Sequence, residues 1–221
     1  MNKLQLIKRR LIQPLPSRSP SLRQVLVGTL LMTVSVLAQA QSVKEELQAK
    51  LAQLGPFSAE FVQKVTSAEG DDLLTAEGTM QLQRPNQFRW QTMTPDEQLI
   101  VSDGKTLWFY NPFVEQVSLY SLNDAIANTP FMLLAGTEQS LWQNYRVTKQ
   151  GNLYTVITPN DNSSAIFTLQ FEQGKIAQFS VQEQQGQHSQ FILQNQAPMA
   201  KTVAGTFDFV IPADTDIDDQ R

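Results

Sequence analysis

The sequence predicts a mostly β fold of the α+β class: one large antiparallel sheet, curled or barrel-like, with an amphipathic helix ahead of it. Three observations carry this. Apolar residues alternate at period two through run after run. Turn residues punctuate those runs at short intervals. Helical spacing is confined to the start of the exported chain and to one central segment.

The first 40 residues stand apart. Residues 1–23 contain Lys3, Lys8, Arg9, Arg10, Arg18 and Arg23 and no acid, and an apolar run, Val25–Ala38, follows. Ala38-Gln39-Ala40 fits the small-x-small cleavage pattern of a secretory signal peptide. The run has 14 residues, against about 20 for a membrane span; an uncleaved anchor is the competing reading. The expected organisation is a cleaved signal peptide, 1–40, and a single domain, 41–221. Six of the 17 basic residues precede the cut and none of the 21 acids does, so the exported chain has 11 Lys+Arg against 21 Asp+Glu, a net of −10. That charge repels nucleic acid and anionic headgroups. With no cysteine, disulfides, thiol catalysis, cysteine zinc sites and a lipid-modified N-terminal cysteine are excluded. Export without disulfides, behind a signal ending in Ala-Gln-Ala, suits the bacterial periplasm.

The elements follow in order. Ser42-Val43-Lys44-Glu45 is a capping-box pattern. Val43, Leu47, Leu51 and Leu54 then recur at helical spacing until Gly55-Pro56 stops the run. From Phe57 the period becomes two. Phe57, Ala59 and Phe61 share one face; Leu74, Ala76, Gly78, Met80 and Leu82 share another, with polar residues between them. Asp103-Gly104 marks a tight hairpin. Further strands are expected at Tyr145–Lys149, Leu153–Thr158, Ile166–Glu172, Ile176–Gln182, Gln190–Leu193 and Thr206–Ile211. Helical turns interrupt the strands at Leu122–Asn128, from Thr129 to Gly136, and at Glu138–Asn144. Every residue of Pro130–Ala135 is apolar, so this segment is covered on more than one side, by core or by an apolar cavity.

Catalytic chemistry has little to stand on. His188 is the only histidine and has no motif around it. Asp214, Asp216, Asp218 and Asp219 lack the glycine and distal glutamate of a calcium loop and read as a solvated acidic tail. There is no Gly-rich phosphate loop and no Gly-x-Ser-x-Gly elbow. The chain is therefore not expected to be an enzyme, to bind a metal or to need a cofactor. What is abundant is aromatic surface in Gly78–Gln116, fitted to hold something apolar. Arg84 follows Met80 and Leu82 at period two and shares their apolar face. A guanidinium there needs acceptors; helix C-terminal carbonyls or a crossing chain would serve. Phe88 and Trp90 share a face, as core or as cavity lining.

These residues also carry a resemblance. Phe61-x-Gln63, Arg84-Pro85-Asn86-x-Phe88-x-Trp90, the run Ser102-Asp103-Gly104-Lys105-Thr106-Leu107-Trp108-Phe109-Tyr110-Asn111-Pro112, and Thr129-Pro130-Phe131-Met132-Leu133-Leu134 resemble the outer-membrane lipoprotein carrier (LolA) family. Order and spacing match to the terminal Asp218-Asp219-Gln220-Arg221. One departure is Asp214, where the family often has Gly; Asp tolerates a left-handed turn.

The resemblance implies an incomplete antiparallel β-barrel, half open, covered by a helical lid. It implies a periplasmic, monomeric carrier of acylated lipoproteins that loads from an inner-membrane ABC transporter and unloads to the outer-membrane receptor LolB. The missing cysteine argues for the carrier and against the receptor, itself a lipoprotein. Arg84 falls on the family's interior arginine, which would bond lid carbonyls. Phe88 and Trp90 would lie on the concave face with Met80 and Leu82. Leu51, Phe131, Met132, Leu133, Leu134 and Ala135 would supply the cover. A periplasmic lipid-binding or sensor module of similar fold is the alternative.

Overall fold

A computed structural model describes residues 43–122, 133–137, 139–157, 165–199 and 204–221. The chain divides into two units, Met1–Ala38 and Gln39–Arg221, and the fold below belongs to the second. The spacing of Val43, Leu47 and Leu51 gives helix α1, 43–52. Leu47 and Leu51 are buried on its inner side, and Val43 and Leu54 pack at the margin. Each full burial of a leucine contributes about 1.5–3 kcal/mol. Lys44 Nζ donates to the carbonyl of Trp142 at 2.9 Å, and Glu46 Oε1 accepts from Tyr154 Oη at 2.6 Å, so the helix is tied to the sheet by polar contacts as well.

Among the described residues, twelve strands follow. They are β1 (Phe57–Thr66), β2 (Asp72–Gln83), β3 (Gln87–Thr94), β4 (Gln98–Asp103), β5 (Thr106–Asn111) and β6 (Gln116–Ser121). After a 3-10 helix at Gln139–Trp142 come β7 (Arg146–Gln150), β8 (Leu153–Ile157), β9 (Ile166–Glu172), β10 (Lys175–Gln182), β11 (His188–Pro198) and β12 (Asp216–Asp219). They form one sheet in the order β12-β6-β5-β4-β3-β2-β1-β11-β10-β9-β8-β7. β12 and β7 each have a neighbour on one side only, so the sheet is open. Every pairing is antiparallel except β12 on β6.

The period-two reading of β1 and β2 holds: Phe57, Ala59, Phe61, Ala76, Met80 and Leu82 are buried on the helix-covered face. Leu74 shares their phase but is 40% exposed, beyond the stretch of β2, Glu77–Gln83, that pairs with β3. Two other expectations fail. Residues 206–211 form no strand, and the acidic tail supplies one: Asp216–Asp219 is β12. The helix expected at Glu138–Asn144 is a shorter 3-10 turn. The helical turns expected at Leu122–Asn128 and from Thr129 lie outside the described residues, apart from Leu122 and 133–136.

The sheet has a second apolar face. Register places Val101 opposite Trp108 and Trp108 opposite Leu119, while Tyr110 faces Leu99 and Val117. These residues point away from α1. Val101, Val117 and Leu119 are nonetheless buried. The C-terminal segment covers them: Phe207 is buried, and the Phe209 ring stands 5.5 Å from Tyr110 and 6.3 Å from Trp108. The aromatic run 107–110 is thus divided between two cores, with Leu107 packed at the inner one.

Candidate functional site

The inner face is floored by stacked rings. Phe61 on β1 lies over Trp90 on β3, centroids 3.9 Å apart at 24°. Gly78 makes this reach possible. It pairs with Phe61 across β1 and β2, and a Cβ there would lie 2.5 Å from the Phe61 ring and 2.1 Å from the Gln91 carbonyl. Phe179 on β10 stacks on Phe191 of β11 at 4.6 Å and 16°, and Trp90 meets Phe191 edge-on at 5.3 Å. Such pairs contribute about 0.5–1.5 kcal/mol each beyond area burial. Beside them opens a cleft of about 310 Å³ lined by Trp90, Ile100, Phe179, Val181 and Phe191, with Gln63, Thr92, Gln98, Glu183 and Ser189 as its polar members. That volume is at the lower end of small-molecule sites.

At the far end of β2 and β3 a polar turn grips a crossing segment. Asn86 takes a left-handed conformation (φ 60°), which asparagine tolerates. Its N–H donates to the Ala135 carbonyl at 2.9 Å. Arg84 Nη2 donates to the next carbonyl, Gly136. Ser102 Oγ, fully buried, donates to the Asn86 carbonyl at 2.8 Å and accepts from the Gly104 N–H at 3.2 Å. Arg84 Nε and Nη1 are buried without a partner among the described residues. Burial pulls the Arg84 pKa below the usual guanidinium range. Among the described residues the half-buried guanidinium therefore has one acceptor, Gly136, for its several donors.

Leu51, Met80, Leu82, Phe88, Trp90, Leu133, Leu134 and Ala135 all belong to one buried cluster, together with Leu47, Phe61 and Trp142. Phe131 and Met132 lie outside the described residues. Phe88 is only 3% exposed, so it is core in this arrangement, and of the singled-out residues Trp90 alone lines the cleft. The cleft's other aromatic residues, Phe179 and Phe191, were not picked out from sequence, although both sit at period-two positions of runs read as strands. Among the described residues no three metal-ligating side chains gather, and no helix is long and apolar enough to cross a membrane.

An open sheet with an aromatic inner floor, helical cover on that side and an apolar-lined cleft defines a half-barrel. The family model described as outer membrane lipoprotein carrier protein LolA matches residues 52–210. The outer-membrane lipoprotein carrier protein of Aliivibrio fischeri is 46% identical over 203 residues, covering 90% of this chain and 100% of its own. That of Aeromonas salmonicida is 44% identical over 203 residues, with coverage of 90% and 99%. That of Vibrio campbellii is 42% identical over 185 residues, with coverage of 83% and 89%. The chain belongs to the LolA family of outer membrane lipoprotein carrier proteins.

Proposed function

We infer that this protein is a non-enzymatic carrier of acylated lipoproteins in the periplasm. Residues 1–40 are removed on export and 41–221 act as a monomer. The carrier accepts cargo from an inner-membrane ABC transporter and hands it to the outer-membrane receptor LolB. Acyl chains lie on the inner face, against Trp90, Phe88, Met80 and Leu82, under a cover that includes Leu51, Leu133, Leu134 and Ala135 and extends to Phe131 and Met132. The observation that carries this reading is the pair of successive carbonyls, Ala135 and Gly136, held by the Asn86 and Arg84 donors beside an aromatic floor. It supports a latch role for Arg84 on the cover.

The energetics favour a latch. Burying one ~16-carbon acyl chain contributes roughly 13 kcal/mol at ~0.8 kcal/mol per CH₂. Several fully buried chains would exceed the tightest known affinities and could not be released. A closed state that must be opened lowers the net affinity by its own stability. With its latch set, the protein leaves a cleft of about 310 Å³, so loading requires the cover to lift. The relatives' shared description as lipoprotein carriers supports the cargo class.

The test is to isolate the mature protein from periplasm and identify what it holds by mass spectrometry. Acylated lipoprotein is the expected result. Free lipid alone would make the protein a lipid-binding module, and turnover of a bound lipid would make it an enzyme; either overturns the reading.

A further inference from the structure

The turn at 112–115, between β5 and β6, presents apolar side chains to solvent on a fixed backbone. Phe113 is 87% exposed and Val114 55%. A phenylalanine left in water forgoes about 1.5–3 kcal/mol of burial, so a turn that displays one without tucking it back calls for a reason. The backbone is locked in place. Asn111 Oδ1 accepts from the Phe113 N–H at 3.0 Å. Glu115 is left-handed (φ 51°), and its carbonyl accepts from the Asp216 N–H at 2.8 Å. β12 therefore pins the turn and brings Ile217, 57% exposed, into register with Val117 at the same end of β6.

The surroundings are acidic. Glu115, Asp214, Asp216 and Asp218 lie on the turn and on β12 or just before it, Asp219 is ion-paired with Arg221 at 2.6 Å, and neither 106–145 nor 204–220 contains a Lys or Arg. Antiparallel alternation puts this turn at the same end of the sheet as the turns at 67–71, 95–97 and 183–187. The cleft lies toward that end, where Gln63, Thr92 and Glu183 line it.

We propose that the 112–115 turn is a docking point for a protein partner whose surface offers an apolar socket bordered by Lys and Arg, with Phe113 as the anchor. A preset aromatic side chain entering a desolvated pocket is the usual form of an interface hot spot, and a ring of acids sets which surfaces it approaches. The same acids repel an anionic bilayer and a second copy of this chain. The inference rests on the carrier reading to the extent that the partner is one exchanging cargo at that end of the sheet.

The experiment compares mature wild type with Phe113→Ser for binding to the purified outer-membrane receptor and to the transporter's periplasmic domain, with Glu115→Gln/Asp216→Asn as the charge variant. Phe113→Ser should weaken at least one of these complexes roughly thirtyfold or more. The charge variant should slow association and flatten its dependence on salt between about 0.05 and 0.3 M. Wild-type affinity of Phe113→Ser for both proteins overturns the proposal. So does Phe113-dependent binding to phosphatidylethanolamine–phosphatidylglycerol vesicles in place of either protein, or Phe113-dependent self-association in sedimentation. Cargo held by the purified variant is measured separately: retained cargo with normal docking refutes the docking point and leaves the carrier reading standing, whereas absence of cargo from wild type refutes the carrier reading itself.

Discussion

Replacing Arg84 by Leu removes the donor to Gly136 and puts an apolar side chain beside Met80 and Leu82. A hydrogen bond from a charged group contributes about 1.5–3 kcal/mol net. For Arg84 the stability balance is closer, because its buried Nε and Nη1 have no partner among the described residues and their desolvation opposes the bond. The fold itself should therefore lose little stability. The equilibrium between covered and uncovered states should move by at most the full bond, since uncovering hydrates those donors and offsets part of it. Apparent affinity for a fluorescent acyl-chain probe is expected to rise by up to roughly 10- to 150-fold, and lipoprotein handover to slow in proportion. Equilibrium titration and a stopped-flow release assay read both quantities. Arg84→Gln separates the latch from the added apolar surface, because it removes the charge and the reach without adding a hydrocarbon floor. If Arg84→Leu binds tightly while Arg84→Gln matches wild type in affinity and release, the extra apolar surface explains the effect and the latch argument is wrong.

Gly78→Ala would drive a methyl against the Phe61 ring and the Gln91 carbonyl; urea denaturation should show a loss of at least about 1–3 kcal/mol. Trp90→Ala removes the ring that joins the Phe61 and Phe191 stacks and should cost about 3–5 kcal/mol in the same assay. Ser102→Ala leaves the Asn86 carbonyl without its buried donor; a loss of about 1–3 kcal/mol is expected, with acyl-probe affinity rising in the direction of Arg84→Leu. The Glu46 carboxyl is held below its ordinary 4.5, first by the bond from Lys149 and then by that from Tyr154. A depressed folded pKa contributes stability above the unfolded value and loses it as pH falls through the folded one. Glu46→Gln should therefore melt below wild type at neutral pH, and the gap should narrow steadily as pH drops below about 4.5, checked by thermal scans across pH.

The sheet was legible because its inner face is dry and its strands alternate. Met80 could be set with Leu82, and Phe88 with Trp90, from their spacing, as could the helix from Val43, Leu47 and Leu51; the concave side for Phe88 and Trp90 came from the family resemblance. Arg84 was legible for a different reason: a charged group in phase with apolar neighbours requires acceptors, and Ala135-Gly136 lies just past a run with no polar side chain. What failed had no local signal. Val101 is buried on the outer face, and Trp108 lies against Phe209, 101 residues later in the chain. Asp216–Asp219 carries no strand propensity, and becomes β12 because β6 offers it an open edge. Residues 206–211 alternate like a strand but serve as a strap, since packing on the back of β4–β6 competes successfully with pairing. Phe179 and Phe191 were visible as strand residues; only the fold could stack them on each other.

The position of β1 bears on how the chain is assembled. β1 is flanked by β2, the next strand, and by β11, where Phe57 meets Pro198. A chain delivered from its N-terminus can build β1 to β6 as a meander of neighbours. The other border of β1 stays unpaired until β11 emerges, its first residue His188 pairing with Thr66, 122 residues earlier, and the Phe207–Phe209 strap follows later still. Contacts so distant in sequence are slow to form, and an unpaired apolar strand is prone to wrong partners in the interval. Late-arriving segments such as β11 and the Phe207–Phe209 strap thus complete the molecule from both sides, and truncations near the C-terminus should yield chains that stick to one another before they lose cargo binding.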